Sequence, residues 1–389
     1  MTEFDFGRGE LPAGWTALRA SPTTYIDAGV RRTAAPNTPV FEGGALRLEH
    51  QATQLLMQYA NGTPFQVSRM AGYWSLTRTV HAGVAMYRVT PNEGDPGHYV
   101  DSGSIPVNRL AVGTRCSAQV AVKADGFNQL RVEAFSGAAD RRASIAFNLI
   151  TGQVLAVFNG GDSSIRLSVT AMADGVWLAK LENFDTVTGT TPMRVRVVTS
   201  GYSGDGVSSF WVGEPQFEVG PRCSSFIDVG ASEVTRLPDL ILAGGDWENA
   251  VGRVEGAIAA EFDATPGNNS TNMVRLANPS GGDRIDIRRQ GTGGVAVTFH
   301  NDGASVAASG VGPWPARGAN RVAAAYGPDG LAAYAAGQRF LNVPTAAVRP
   351  QLFNRLELAA SGQVTAYISR LRLYRTRPPH EQLLAMTGV

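Results

Sequence analysis

Apolar and polar residues alternate with a period of two along much of the chain, a pattern typical of β-strands. Examples are Arg194-Val-Arg-Val-Val198, Ile285-Asp-Ile-Arg288, Arg355-Leu-Glu-Leu358 and Arg370-Leu-Arg-Leu373. Asn-Gly and Asp-Gly pairs, which favour tight hairpins, recur between such segments. Because each strand has one charged face that needs solvent, the pattern indicates antiparallel sheets. It predicts an all-β fold.

The spacing of strands and turns predicts two antiparallel β-sandwich (jelly-roll) domains in tandem. An extended N-terminal docking segment and a short C-terminal helix complete the predicted fold class. The expected bounds are 1–60 for the N-terminal anchoring segment, 61–220 for the first jelly roll, 221–250 for an ordered linker and 251–389 for the second sandwich.

Helical periodicity is weak and indicates two short candidates. The first runs from Arg47 to Tyr59, and the second runs from Pro379 to Met386. Proline suits the first turn of a helix, and Glu381 complements the positive end of the second candidate.

One short segment occurs twice. Pro22-Thr-Thr-Tyr-Ile-Asp27 is echoed by Ser224-Ser-Phe-Ile-Asp228, and each copy is followed by threonine, arginine and a proline. We interpret the two copies as an internal repeat that flanks the first predicted sandwich.

Composition narrows the function classes. The 389 residues carry 34 basic and 33 acidic side chains, so no global charge attracts the chain to nucleic acid or an anionic membrane. All basic residues except Lys123 and Lys180 are arginines. Cys116 and Cys223 allow at most one disulfide, and the sequence leaves open whether they pair. The N-terminus lacks the pattern of a secretory signal, so we expect synthesis in the cytoplasm without an evident export route.

Several segments, in a fixed order, resemble structural proteins of tailed phages and phage-like gene-transfer particles, described as tail or head fibre or spike components. The resemblance is carried by Phe4-Asp-Phe6-Gly-Arg-Gly9-Glu-Leu11-Pro12, Thr24-Tyr25-Ile26-Asp27, Leu46-Arg-Leu-Glu49, Phe147-Asn-Leu-Ile-Thr151-Gly152-Gln-Val154, Asp174-Gly-Val-Trp177, Trp211-Val-Gly213-Glu-Pro-Gln216-Phe-Glu218-Val-Gly220 and Asn320-Arg-Val-Ala-Ala-Ala-Tyr326. The chain departs from the family at Gln54, where the family has asparagine.

The resemblance implies a virion protein with a carbohydrate-module-like jelly roll and a C-terminal concanavalin-like or laminin-G-like sandwich. It further implies other virion proteins and copies of the chain itself as partners, with adhesion to host-surface polysaccharide. The position on the particle and the oligomeric state stay open. No catalytic residue transfers with the resemblance.

Known catalytic and metal-binding patterns are absent from the sequence. The nearest paired carboxylates, Asp283 and Asp286, are three residues apart, which places them on opposite faces of a strand. The five histidines are scattered without zinc-ligand spacing. We therefore expect no enzymatic activity and no cofactor. A polar loop is the favoured interpretation of Asn268-Asn-Ser-Thr-Asn272 with Asp263, and calcium binding is the open alternative there. A polar hairpin is the favoured interpretation of Glu93 to Asp101, and a cation or sugar site is the alternative.

The candidate sugar-binding residues lie in the C-terminal third. Trp314 stands between two prolines, where its ring can be exposed and stack on a sugar, and His300, Asn301 and Asp302 offer polar groups beside a glycine. A hairpin turn is the simpler interpretation of Asn301 and Asp302, and binding of a sugar hydroxyl is the alternative. Further aromatic candidates, for which core packing is the simpler interpretation, are Tyr73, Trp74, Trp177, Trp211 and Trp247.

Three functions are compatible with the sequence. The favoured one is a fibre or spike subunit that adheres to a host-surface glycan, located in the virion and without membrane insertion. The second is a purely architectural decoration or collar protein, and the third is a polysaccharide depolymerase.

Overall fold

A computed structural model of the chain divides into two compact units. Unit 1 comprises residues 1–22, 34–51 and 237–389, and unit 2 comprises residues 23–33 and 52–236. The structure describes residues 1–56, 65–68, 74–91, 93, 98–103, 105, 109–136, 140–186, 193–199, 204–230, 232–264, 271–290, 294–312, 320–344, 353–359 and 365–388.

Unit 1 is built from two antiparallel sheets. Its strands are β1 (Thr2–Asp5), β2 (Thr16–Leu18), β5 (Val40–Glu42), β6 (Ala45–Leu48), β21 (Leu240–Leu242), β22 (Gly256–Ala264), β23 (Thr271–Ala277), β24 (Arg284–Arg289), β25 (Val295–Asn301), β26 (Ala304–Gly312), β27 (Asn320–Gly327), β28 (Gly330–Ala335), β29 (Gln338–Val343), β30 (Arg355–Ala359) and β31 (Ala366–Tyr374). One sheet has the order β29-β28-β27-β22-β31-β6-β5, with β1 also paired to β31, and the other has the order β2-β21-β30-β23-β24-β25-β26.

Alternate residues of both sheets form the core of unit 1. Ile258 and Leu371 come from the first sheet, and Ile287 and Phe299 from the second. The N-terminal residues are part of this core, because Phe6 is fully buried and its ring lies 5.9 Å from that of Trp15. Since a strand with one apolar face must bury it, the N-terminal strands complete a sheet instead of standing alone.

The C-terminal helix α1 (His380–Thr387) packs on the outer face of the first sheet. Small side chains line this face, among them Ala259, Ala323 and Ala325, and they allow the close approach of Leu383, which is fully buried. The prediction of an all-β fold with antiparallel sheets and a short C-terminal helix is confirmed.

Unit 2 contains two six-stranded antiparallel sheets and two small strand pairs. Its strands are β3 (Thr23–Asp27), β4 (Val30–Ala34), β7 (Ala52–Gln54), β8 (Phe65–Ser68), β9 (Trp74–His81), β10 (Val84–Val89), β11 (Tyr99–Ser102), β12 (Arg115–Asp125), β13 (Gln129–Ser136), β14 (Asp140–Asn148), β15 (Val154–Phe158), β16 (Arg166–Ala171), β17 (Val176–Asp185), β18 (Met193–Val198), β19 (Ser209–Val219) and β20 (Val234–Arg236). The sheet orders are β16-β17-β12-β19-β10-β9 and β15-β14-β13-β18-β11-β8, with the pairs β3-β4 and β20-β7 beside them.

The two copies of the repeated segment lie side by side in unit 2. The hydroxyl groups of Thr23 and Ser225 are 2.8 Å apart, and the Thr24 hydroxyl donates to the Phe226 carbonyl at 3.1 Å. Arg31 pairs with Asp228 at 2.8 Å. The two copies therefore contact each other within one unit.

The predicted domain bounds differ from this division. Residues 1–60, expected as a separate segment, supply strands to both units, and the expected linker 221–250 is divided between them at residue 236. The expected docking role of the N-terminus stays a prediction.

The prediction of a helix from Arg47 to Tyr59 is wrong for the described residues of this range. β6 and β7 occupy part of this range, and residues 57–59 lie outside the described residues. Leu48 belongs to the core of unit 1, whereas Leu55 and Leu56 belong to the core of unit 2. The apparent helical spacing joins leucines that serve two different cores.

Within the described part of the chain, no helix combines the length and apolar character that a membrane crossing requires.

Cys116 and Cys223 are both buried and free. Burial raises the pKa of the Cys116 thiol to about 12 and raises that of Cys223 well above its usual value, so both thiols stay protonated at neutral pH.

Candidate functional site

The second sheet of unit 1 concentrates positive charge on its outer face. We call this surface the arginine face and define it by Arg275, Arg284, Arg288, Arg355, Asp286, Glu357, Thr298 and His300. These positions alternate along their strands with core residues such as Ile285 and Ile287. Because alternate residues of a strand point to opposite sides, all of them lie on the outer side.

Strand register places these side chains in two rows. Glu357 pairs with Arg275, Arg275 with Asp286, and Asp286 with Thr298, so one row crosses four strands. In the next row, Arg284 pairs with His300, and Arg355 is two strands away. The sequence shows only the alternation; the pairing of separate strands brings the charges together.

Asp286 holds two of the arginines in place. Its carboxylate oxygens accept hydrogen bonds from Nε of Arg275 at 2.7 Å and from Nε of Arg284 at 3.1 Å. The Asp286 side chain is only 3% exposed, whereas that of Arg275 is 32% exposed. The carboxylate therefore lies beneath the guanidinium groups and orients them outward.

Glu357 repeats this arrangement on β30, two strands away from Asp286. It forms ion pairs with Arg355 and, at 3.6 Å, with Arg275. The Arg355 side chain is 51% exposed while Glu357 is nearly buried. Arg288 is half-buried, and its Nη2 donates to the hydroxyl of Thr298. The arginine face carries four arginines but only two carboxylates, so it has a local excess of positive charge. The chain as a whole is nearly neutral.

His300, one of the predicted sugar-binding residues, lies on the arginine face. Its Nε2 is 3.3 Å from Nη2 of Arg284 and 3.8 Å from Oδ2 of Asp286. Partial burial lowers the pKa of His300, and the positive charge of Arg284 lowers it further, against the opposing effect of Asp286. The imidazole is therefore neutral at pH 7 and serves the site as a hydrogen-bonding group.

Two other predicted site residues, Asn301 and Asp302, are not brought onto this face. Asn301 ends β25, and Asp302 occupies the hairpin turn with a φ of 49°. The Asp302 amide donates to the Asp283 carboxylate at 2.9 Å, as a turn residue would. Trp314 lies outside the described residues. Asp283 and Asp286 do not form a pair.

The remaining aromatic candidates are structural where they are described. Trp247 is buried in the core of unit 1. In unit 2, Trp177 donates from Nε1 to the Leu149 carbonyl at 2.7 Å, and Trp211 packs edge-on against His81. Tyr73 and the side chain of Trp74 lie outside the described residues.

Unit 2 has a comparable charged face around Arg196, but there the arginine is fully engaged. Arg196 donates to both oxygens of Asp101 at 2.6 and 2.9 Å, and its guanidinium carbon lies 3.8 and 4.2 Å from the ring centroids of Tyr99 and Phe135. The guanidinium group of Arg196 therefore binds Asp101 through its nitrogens and contacts two aromatic rings, all within the fold. This cluster stabilises the sheet, whereas the arginine face leaves guanidinium groups open to solvent.

A cavity of about 580 Å³ lies elsewhere in unit 1. Its charged lining residues are Glu248, Arg253, Glu255 and Arg375, with Phe353 also contributing. Positive and negative groups balance, so the cavity lacks the charge excess of the arginine face.

Among the described residues, no group of three or more histidine, cysteine or acidic side chains is placed to hold a metal ion. The expected calcium loop falls largely on residues 265–270, which lie outside the described part, and so do residues 94–97 of the polar loop before Asp101. Calcium binding stays an open prediction.

No protein-family model and no curated protein matches the sequence. Among solved structures, the chain is similar to the CBM40 module of Ruminococcus gnavus IT-sialidase bound to α2,3-sialyllactose, with 17% identity, a TM-score of 0.31, and coverage of 36% of this chain and 84% of the module. It is also similar to Trypanosoma rangeli sialidase in complex with sialic acid (12% identity, TM-score 0.28, 94% of this chain and 76% of the sialidase). A third similar structure is that of domains LG4-5 of the mouse laminin α1 chain, with 11% identity, a TM-score of 0.25, and coverage of 72% of this chain and 86% of the laminin chain.

These comparisons correct one prediction. We expected no enzymatic activity, but sialidases align with 94–95% of the chain, so the exclusion of an enzyme is wrong. That expectation rested on the spacing of carboxylates along the sequence. The structure instead places Asp286 and Glu357, from different strands, in one row of one face. At TM-scores of 0.27–0.28, the sialidase alignments assign no catalytic residue or substrate to this chain.

Proposed function

We propose that the chain binds an anionic glycan on the arginine face of unit 1. The observation that carries this proposal is the set of four arginines on one outer sheet face, three of which are oriented from below by two nearly buried carboxylates. Arginine is suited to this role, because its planar fork donates two parallel hydrogen bonds to a carboxylate, sulfate or phosphate.

The layout of the face favours an extended polymer over a single small anion. The arginines occupy three adjacent strands, β30, β23 and β24, which are spaced about 4.8 Å apart, so the outermost are about 10 Å apart. A chain of acidic sugars that crosses the strands contacts several guanidinium groups at once. His300 adds an imidazole group in the same row as Arg284 for a sugar hydroxyl.

Replacing the two arginines with the fewest partners in the fold is expected to weaken glycan binding. For Arg288→Gln combined with Arg355→Gln, we expect the dissociation constant to rise about tenfold, equivalent to about 1.4 kcal/mol, because two charge-assisted contacts are lost. Polysialic acid, polygalacturonate and heparin are the anionic probes and dextran the neutral one, measured by biolayer interferometry on the full chain at two salt concentrations.

The matched control is Arg109→Gln, because the side chain of Arg109 is 50% exposed and ion-paired like that of Arg355, but lies in unit 2. It should bind like the unchanged chain. Equal binding to dextran, or no effect of the double substitution, rejects the arginine face as a site for anionic glycans. No binding to any of the probes rejects the proposal too, and favours a purely architectural protein. Reducing-end release from the probes during the same incubation would identify a depolymerase instead.

We further propose that the protein is a fibre or spike subunit of a phage-like particle, where glycan binding would serve attachment to a host surface. The support is the ordered set of family-like segments from Phe4 to Tyr326. Mass spectrometry of purified particles is expected to detect the chain at a stoichiometry matching a symmetric attachment site. Its absence from particles that retain infectivity or transfer activity would contradict the virion role without affecting glycan binding.

A further inference from the structure

His300 and Arg284 contact each other on the arginine face, and the contact requires a neutral imidazole. Nη2 of Arg284 lies 3.3 Å from Nε2 of His300. A guanidinium group has only donors, so Nε2 is the accepting nitrogen and the neutral ring carries its proton on Nδ1. Protonation of Nε2 therefore removes this hydrogen bond.

Arg284 has a partner within the fold for each of its three guanidinium nitrogens. Besides the contact of Nη2 with His300, Nε donates to Asp286 at 3.1 Å and Nη1 donates to the Gly281 carbonyl at 2.8 Å. The Arg284 side chain is 26% exposed, compared with 51% for Arg355. With these three contacts in place, Arg284 offers fewer free donors to a glycan than Arg355 does.

Asp286 is the alternative partner for a protonated His300. Its Oδ2 lies 3.8 Å from Nε2 of His300, and the same oxygen accepts the hydrogen bond from Nε of Arg284. In the protonated ring both nitrogens are donors, so Nε2 is repelled by Nη2 of Arg284 and attracted by Oδ2 of Asp286. One proton therefore frees Nη2 of Arg284 and adds a positive charge to the arginine face.

The charged groups that act on the imidazole come from β24, the neighbouring strand on one side. They are Arg284, Arg288 and Asp286. The neighbouring strand on the other side, β26, has no charged residue. Burial and the two arginines lower the pKa of His300, against the opposing effect of Asp286. A bound polyanion adds negative charge to these surroundings and therefore favours the protonated ring.

We propose that protonation of His300 releases Arg284 from its contact within the fold to the bound glycan, so that the arginine face binds anionic glycans more tightly at mildly acidic pH. This inference rests on the proposed function of the face. His300 acts here as a positioning residue, because it changes what Arg284 can bind. Since the imidazole of the free protein becomes charged only below about pH 6.5, the gain in affinity appears as the pH falls below that value.

The first test measures heparin binding to the full chain by biolayer interferometry at about pH 7.5 and about pH 5.5, at constant ionic strength. Heparin is suitable because its sulfate groups stay charged across this range, which lies above the ordinary titration range of carboxyl groups. We expect the dissociation constant to fall about fivefold at the lower pH, equivalent to about 1 kcal/mol, which is the size of one additional exposed ionic contact. Circular dichroism at each pH confirms that the chain is folded.

Two histidine variants assign the pH dependence. His300→Gln is expected to bind heparin with the same affinity at both pH values, because glutamine keeps an acceptor for Arg284 but cannot gain a proton. The matched control is His380→Gln. His380 is also hydrogen-bonded, with Nδ1 3.1 Å from the Tyr334 hydroxyl, and it lies in the same unit on α1. This variant should keep the fivefold change.

The second test is an NMR titration of the His300 imidazole with and without heparin. Because coupling between two binding events is reciprocal, heparin should raise the pKa of His300. If Arg288→Gln combined with Arg355→Gln leaves heparin binding unchanged, the proposed function fails, and this inference fails with it. If that double substitution weakens binding, three results would overturn this inference alone: equal affinity at both pH values, a pH dependence that survives His300→Gln, or a pKa of His300 that heparin does not raise.

Discussion

Gln54→Leu is expected to destabilise unit 2 by about 3 kcal/mol. Gln54 is fully buried, and its amide makes four hydrogen bonds to the backbone. Nε2 donates to the carbonyls of Pro215 and Ile227 at 2.9 and 3.2 Å, and Oε1 accepts from the amides of Leu56 and Phe217 at 3.2 and 3.0 Å. Leucine has a similar volume, but it cannot form hydrogen bonds with these four backbone groups. Each buried group that is left without another hydrogen-bond partner costs about 1–3 kcal/mol.

Urea denaturation and hydrogen exchange test this expectation. With a slope of about 2 kcal/mol per molar urea, the midpoint of unit 2 should fall by roughly 1.5 M. Amides near Leu56 and Phe217 should lose protection first. The matched control is Gln129→Leu, since Gln129 is exposed in the same unit. Equal midpoints for the two variants would show that the buried hydrogen bonds contribute little.

Much of the fold follows from the sequence, because alternation and turns are local signals. The segments Ile285 to Arg288 and Arg355 to Leu358 are strands with the predicted inner and outer faces. Local signals do not show which strands pair with each other. Nothing in the first residues indicates that Thr2–Asp5 pairs with β31, more than 360 residues later. The role of Gln54 likewise depends on hydrogen bonds to residues 215–227, which are distant in the sequence. The sequence shows only that Gln54 stands where the phage proteins that the chain resembles have asparagine.

The candidate site was predicted only in part for the same reason. His300 was selected for its neighbours in sequence, Asn301 and Asp302, but its neighbours in space are Arg284 and Asp286 on β24. The available signal was the alternation of charges in Ile285-Asp-Ile-Arg288 and Arg355-Leu-Glu-Leu358. It fixes the outer face of each strand, but the lateral order of strands is needed to bring those faces together.

Asp286→Asn is expected to lower the free energy of unfolding of unit 1 by about 2 kcal/mol. Removing one partner of a buried ion pair costs about 3–5 kcal/mol. The loss here is smaller because the side chains of Arg275 and Arg284 are 32% and 26% exposed, so water partly replaces the carboxylate. The matched control is Asp27→Asn, because Asp27 and its partner Arg32 have side chains that are 60% and 55% exposed, and the substitution should change stability by less than about 0.5 kcal/mol.

The same substitution should lower the pKa of His300 further, because it removes the negative charge that opposes burial and Arg284. An NMR titration of the imidazole protons measures this shift directly. Since the folded-state pKa of His300 already lies below the unfolded value of about 6.5, the unfolded chain binds more protons at lower pH. Stability therefore declines as pH falls below about 6.5 and levels off once the folded imidazole is also charged. In Asp286→Asn the decline should extend to a lower pH. An unchanged pKa would mean that Asp286 does not control the charge of this face.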